Sequence, residues 1–189
     1  MSANKFILRF SEGKLPEHIE RPAYESLKND SRHIYKFLLS KYATDNDVDD
    51  YITNTLDSLY KHSSFIRRND IQNKISSSTV DKLMRLGYHD LVGNNNNMSQ
   101  ETFNLHWSSG NKHTQQSLLY NKHNSIHNIR KFLENDPRNL QATHALVTHT
   151  DANKNDLLYG INHNNEEIQK HAKQHPKYKE YFPNGHENI

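Results

Sequence analysis

Apolar residues in this sequence come only in short clusters. The run KFILRF (5–10) is interrupted by Arg9, and no other run approaches the length needed to cross a membrane. Any core must then be lean: 33% of the residues are hydrophobic, and Leu, Ile, Val and Phe number 41 of 189. A formal charge of only +2 gives no self-repulsion to hold such a chain open. The length favours one domain, 1–189, and the ten tyrosines add apolar area with polar tips.

KFILRF alternates in the manner of a strand, and 31–42 has helical spacing behind Ser31. TDNDVDDYITNTLDSLYKH is the clearest helix. Thr44 and Asp47 form a capping box, Val48, Ile52, Leu56 and Leu59 make one stripe, and Asp45, Asp47, Asp49 and Asp50 sit at the positive end of the helix dipole. Ser78 with Asp81 reads as the cap of a short helix that stops at Gly87. The polar segment 93–100, GNNNNMSQ, is expected to be a flexible loop between a helical first half and a mixed second half. Phe103, Leu105 and Trp107 alternate as in a strand. A longer helix is expected from Gln115 to Asp136, with Leu118, Ile126, Ile129 and Leu133 inward. ALVTHT (145–150) and DLLYGI (156–161) read as two strands joined by a polar turn, and a last helix is capped at Asn164 or Asn165. The expected class is α+β: four to five helices packed on a small, mainly antiparallel sheet of about four short strands.

The absence of cysteine excludes disulfides and thiolate zinc sites. Histidine is abundant, at 14 residues, and complete protonation would carry the formal charge from +2 to +16. His123 and His127 are four apart on an expected helix, as are His171 and His175. That spacing can bring two imidazoles to one metal ion, but no HExxH motif or suitably placed carboxylate accompanies either pair. Histidine at this frequency produces such pairs by chance, and no metal is expected. His62-Ser63-Ser64 and His106-Trp107-Ser108 each show a His-x-Ser pattern. It resembles the paired strand motifs of the two-histidine phosphoesterases, without the apolar flanks around His62.

The segment HTDANKND (149–156) admits three readings. Asp151, Asn153 and Asn155 could start a calcium loop, but Asp156 and Asn162 stand where glycine and a bidentate glutamate are needed. His149, Asp151, Leu157 and Leu158 match the His-x-Asp, four residues, Asn, two apolar residues of a catalytic loop. The segment thereby resembles the protein kinases and aminoglycoside-type phosphotransferases. That resemblance implies a magnesium- and ATP-dependent phosphotransferase in which Asp151 orients or deprotonates the acceptor hydroxyl. Asp156, in place of the family's asparagine, would hold the metal. The match covers about ten residues, with no glycine-rich loop, no Asp-Phe-Gly and only 29 residues beyond Gly160. The third reading is a hairpin turn, for which Asp and Asn are well suited.

A basic segment, 61–85, and the aromatic-interleaved KYKEYF (177–182) could suit single-stranded nucleic acid, though a pI near 8.6 is low for a dedicated binder. No full catalytic set is present, so the expected function is that of a non-enzymatic interaction protein. Its partner is expected to be a macromolecule, a protein ahead of a nucleic acid, and no cofactor is expected. The bias toward Asn, Lys and Ile suggests a secreted bacterial effector or a phage or viral accessory protein. The expected location is cytoplasmic, or exported without a cleaved signal peptide.

Overall fold

A computed structural model describes residues 43–185, together with 18, 19, 22–24, 34, 38 and 39. The KFILRF strand and most of the 31–42 helix lie outside the described residues. The described residues form helices and turns with no strand among them, so the α+β expectation is corrected to an all-helical one. The chain divides into two compact units, with the division between Asn104 and Leu105.

In the first unit, α1 (Asp45–Asn54) opens on the Thr44 and Asp47 capping box: Asp47 N–H reaches Thr44 Oγ1 at 3.2 Å and Thr44 N–H reaches Asp47 Oδ2 at 2.8 Å. Val48, Ile52 and Leu59 of the expected stripe are buried, but the helix breaks at Thr55 and continues as a 3₁₀ segment, Leu56–His62. Short helices α2 (Ser63–Ile66) and α3 (Asn69–Gln72) follow. α4 (Ser77–Arg85) is capped by Ser76 rather than Ser78, and Asp81 instead accepts from the Ser99 N–H and hydroxyl. Gly87, at φ +88°, closes α4: Gly87 N–H reaches Met84 O and Tyr88 N–H reaches Leu83 O. After α5 (His89–Val92), the asparagine run is tied to its surroundings by side-chain bonds. Buried Asn95 donates to Gln72 O and Oε1, and Asn97 donates to Ile75 O.

α6 (Gln100–Ser109) replaces the strand expected at 103–107. Phe103 and Trp107 are four apart and share a helical face, while Leu105, 52% exposed, points the other way. The apparent alternation was an i, i+4 pair with an exposed residue between its members.

The second unit continues through α7 (Lys112–Ser117), α8 (Ile126–Asn135), α9 (Leu140–Thr148), α10 (Lys154–Ile161), α11 (Glu166–Gln174) and α12 (Tyr178–Tyr181). The single helix expected from Gln115 is thus split by a turn over 118–125. Asn111, Ser125, Asn139, Asn153 and Asn165 each cap a helix by accepting from an N–H of its first turn. α9 lies at the centre and packs on α8, α10 and α11. One side of it joins Leu119, Ile129, Phe132 and Leu133, and Val147 on the other joins Leu157, Ile161, Ile168, Ala172 and Phe182. Burial of Ala142, Thr143, Ala145, Leu146 and Val147 makes a band too wide for a one-sided helix, which is why this run imitates a strand.

Candidate functional site

The segment 149–156 is a tight turn between two helices, not the hairpin expected from the sequence. Asn153 Oδ1 accepts from Asn155 and Asp156 N–H at 2.9 and 3.1 Å, and Asp156 Oδ2 accepts from Asn153 N–H at 2.8 Å, a complete capping box. Asp156 is buried, its side chain 7% exposed, and Arg130 of α8 grips both its oxygens, Nε to Oδ1 at 3.0 Å and Nη2 to Oδ2 at 2.6 Å. The same contact holds the Arg130 guanidinium above its usual pKa. Asp151, 74% exposed, lies on the outside of the turn, with Oδ2 4.0 Å from His149 Nδ1. The carboxylate that the resemblance assigns to magnesium is therefore bound to a guanidinium, and Asn153, a ligand in the calcium reading, faces its own helix.

His149 turns inward. Its Nδ1 accepts from Asp151 N–H at 3.1 Å, and Nε2 lies 3.3 Å from Asn124 O. His163 and His175 repeat the device, accepting at Nδ1 from the N–H two residues on, at 3.0 and 3.2 Å. These histidines act as turn formers, as asparagine does in Asx turns. His175, the residue that ends α11, also reaches His149 O through Nε2 at 3.1 Å. His123 and His127 are separated: His123 sits in the turn before the Ser125 cap and His127 on α8. No group of three or more His, Cys, Asp or Glu side chains that could hold a metal occurs among the described residues. His106 lies within α6 and His62 ends the 3₁₀ segment before α2, so neither His-x-Ser motif is on a strand.

A third cluster was not foreseen. His144 of α9 meets His171 of α11 edge to face, ring centroids 4.5 Å apart, and Tyr120 Oη lies 3.0 Å from His144 Nδ1. Burial, then the neighbouring His171, push the His144 pKa below its usual value, against a weaker opposing pull from Glu167.

The candidate site is a cleft of about 300 Å3 in the second unit. One wall is a stripe of α8: His127, Lys131 and Asn135 at i, i+4 and i+8, with Asn128 and Phe132 beside them. The other wall is Trp107 and Ser108 of α6 with Gln115 of α7. Gly110 makes the corner between those helices, where a Cβ would strike His106 O and sit 2.8 Å from Thr114 Cγ2. Gln115 Nε2 then donates to Trp107 O at 2.9 Å, holding the end of α6, and the Trp107 ring rests on Phe132 with centroids 6.5 Å apart. Trp107 is half-buried, and it is the only tryptophan in the chain.

No family model matches the chain, and no curated protein or solved structure matches it either.

The sequence places Trp107 on a strand and inside a His-x-Ser pattern, and Gln115, Asn128, Lys131 and Asn135 carry no expectation as site residues. The polar stripe at i, i+4 and i+8 was the available signal, but the wall facing it comes from two other helices. Some of the cationic and aromatic residues raised for nucleic acid are engaged elsewhere. Phe182 is buried, Tyr178 and Tyr181 pack on the α10 and α11 core, Arg68 pairs with Asp70 at 2.9 Å, and Lys74 donates to Ala43 O. Among the described residues no helix is long and apolar enough to cross a membrane.

Proposed function

We propose that this is a non-enzymatic recognition protein whose second helical unit receives a segment of a partner protein in the Trp107 cleft. The observation that carries the reading is the cleft itself: a half-exposed indole facing a helical stripe of hydrogen-bonding side chains. Aromatic anchors beside polar, adaptable groups are characteristic of binding surfaces. The commitment of Asp156 to Arg130 and to the α10 cap supports the same reading, because it leaves the phosphotransferase alternative without its metal ligand.

The test compares two baits, the native chain and a Trp107→Ala, Lys131→Glu double variant, against a low-salt lysate of a plausible host. The expected result is a partner held by the native bait and lost from the variant, with one-to-one binding then confirmed by calorimetry using the purified partner. A native bait that stays empty, or a partner retained equally by both baits, contradicts the reading.

A further inference from the structure

We infer that the segment held in the cleft is acidic, presenting a carboxylate to Lys131 and an apolar or aromatic side chain to Trp107; this rests on the recognition reading above.

The first reason is charge. None of the cleft residues is Asp or Glu, whereas Lys131 and His127 lie on its wall. Neighbouring cations already have carboxylates: Arg130 holds Asp156, and Lys112 holds Asp136 at 2.8 Å. Among the described residues Lys131 has none, so its ammonium is available to an incoming anion. The bias extends beyond the cleft. The stretch Leu105–Ile189 holds ten Lys and Arg against eight Asp and Glu, the whole of the chain's formal +2, and ten of its 14 histidines.

The second reason is shape and hydrogen bonding. From His127 to Asn135 the α8 wall runs about 12 Å, enough for roughly four residues of extended peptide. Among the described residues the Asn128 side chain has no partner, Asn135 uses Nδ2 on Lys131 O and keeps Oδ1, and Gln115 uses Nε2 on Trp107 O and keeps Oε1. Those groups match the alternating N–H and C=O of a peptide backbone. A nucleic-acid strand fits less well, because one lysine would face several phosphates along the same length.

Trp107 makes the test direct, since all tryptophan emission comes from the cleft. The chain is titrated at low salt with a short acetylated peptide of Glu and Phe, with the same peptide carrying Lys for Glu, with one carrying Gln for Glu, and with an oligothymidylate. The expected result is a saturable emission change with the Glu peptide, weakened roughly tenfold by Lys131→Glu and by added salt, and little change with the other probes. Lys131 is exposed on α8, and far-UV circular dichroism checks that the variant is folded. Equal binding of the Gln peptide removes the acidic requirement and leaves the recognition reading standing. A response to the oligothymidylate alone replaces the peptide with nucleic acid. No response to any probe, together with an empty native bait, removes both.

Discussion

Arg130 and Asp156 form a two-pronged ion pair that ties α8 to the first turn of α10, with Nη2 to Oδ2 at 2.6 Å. The carboxylate is buried and the guanidinium partly exposed, so the two partners are not equivalent. Arg130→Met strands a buried charge with one remaining donor, Asn153 N–H, and is expected to cost about 2–3 kcal/mol. Asp156→Asn keeps an amide oxygen for that cap and lets Arg130 reach water, so it is expected to cost less. Urea unfolding of the two variants measures the asymmetry, and the reverse order would show that the cap matters more than the buried charge.

Asn153 ends the turn by accepting two N–H groups. Asn153→Ala is expected to lower stability by about 1 kcal/mol, and Asn153→Ser by a fraction of that, because serine also caps. Thermal melts of the three proteins check the ranking.

Gly160 of α10 lies between Val147 of α9 and Ala172 of α11. A Cβ there would strike Val147 Cγ1 and sit 3.0 Å from Ala172 Cβ. Alanine adds about 1 kcal/mol of helix propensity, but the overlap with fixed neighbours is larger. Gly160→Ala is expected to destabilise by about 1–2 kcal/mol net. Adding Val147→Ala makes room, so the double variant should lose less than the two separate losses combined, as double-variant unfolding would show.

These three sites also show how far the sequence can be read. Local signals were legible: the Thr44 and Asp47 box, the Gly87 stop and a last cap at Asn164 or Asn165, which the structure places at Asn165, depend on residues within one turn of each other. Helix against strand was not legible at 103–107 or 145–161. At 103–107 an i, i+4 pair with exposed Leu105 between its members mimics alternation, and at 145–161 the buried positions of α9 face two neighbours, so burial on two sides erases the period that separates the two structures. Asn139 and Asn153 are the signal that separates the two, because each is a cap in front of an apolar run; Asn153 alone falls in the expected turn, and Asn139 carries no expectation. The cleft was illegible for a different reason: Trp107, Gln115 and Lys131 belong to three helices, and only tertiary packing brings them together.

His144 gives the fold a pH dependence of known sign. Its folded pKa lies below its usual value, so the unfolded chain takes up the proton first as pH falls. The resulting stability is complete above about pH 6.5, the ordinary histidine value, and is lost as pH falls from there through the folded pKa. The melting temperature of the native chain is expected to drop over that window. His144→Gln, which keeps an amide for Tyr120, should show a shallower drop. Equal slopes would show that His144 does not couple to folding.

The most direct test of whether Asp151 and Asp156 build a turn or serve a nucleotide is the melting temperature of the native chain with and without magnesium and ATP. The expected result is no change, because Asp156 is already bound on both oxygens. A rise of several degrees, abolished by Asp151→Ala, would contradict the recognition reading and restore the phosphotransferase.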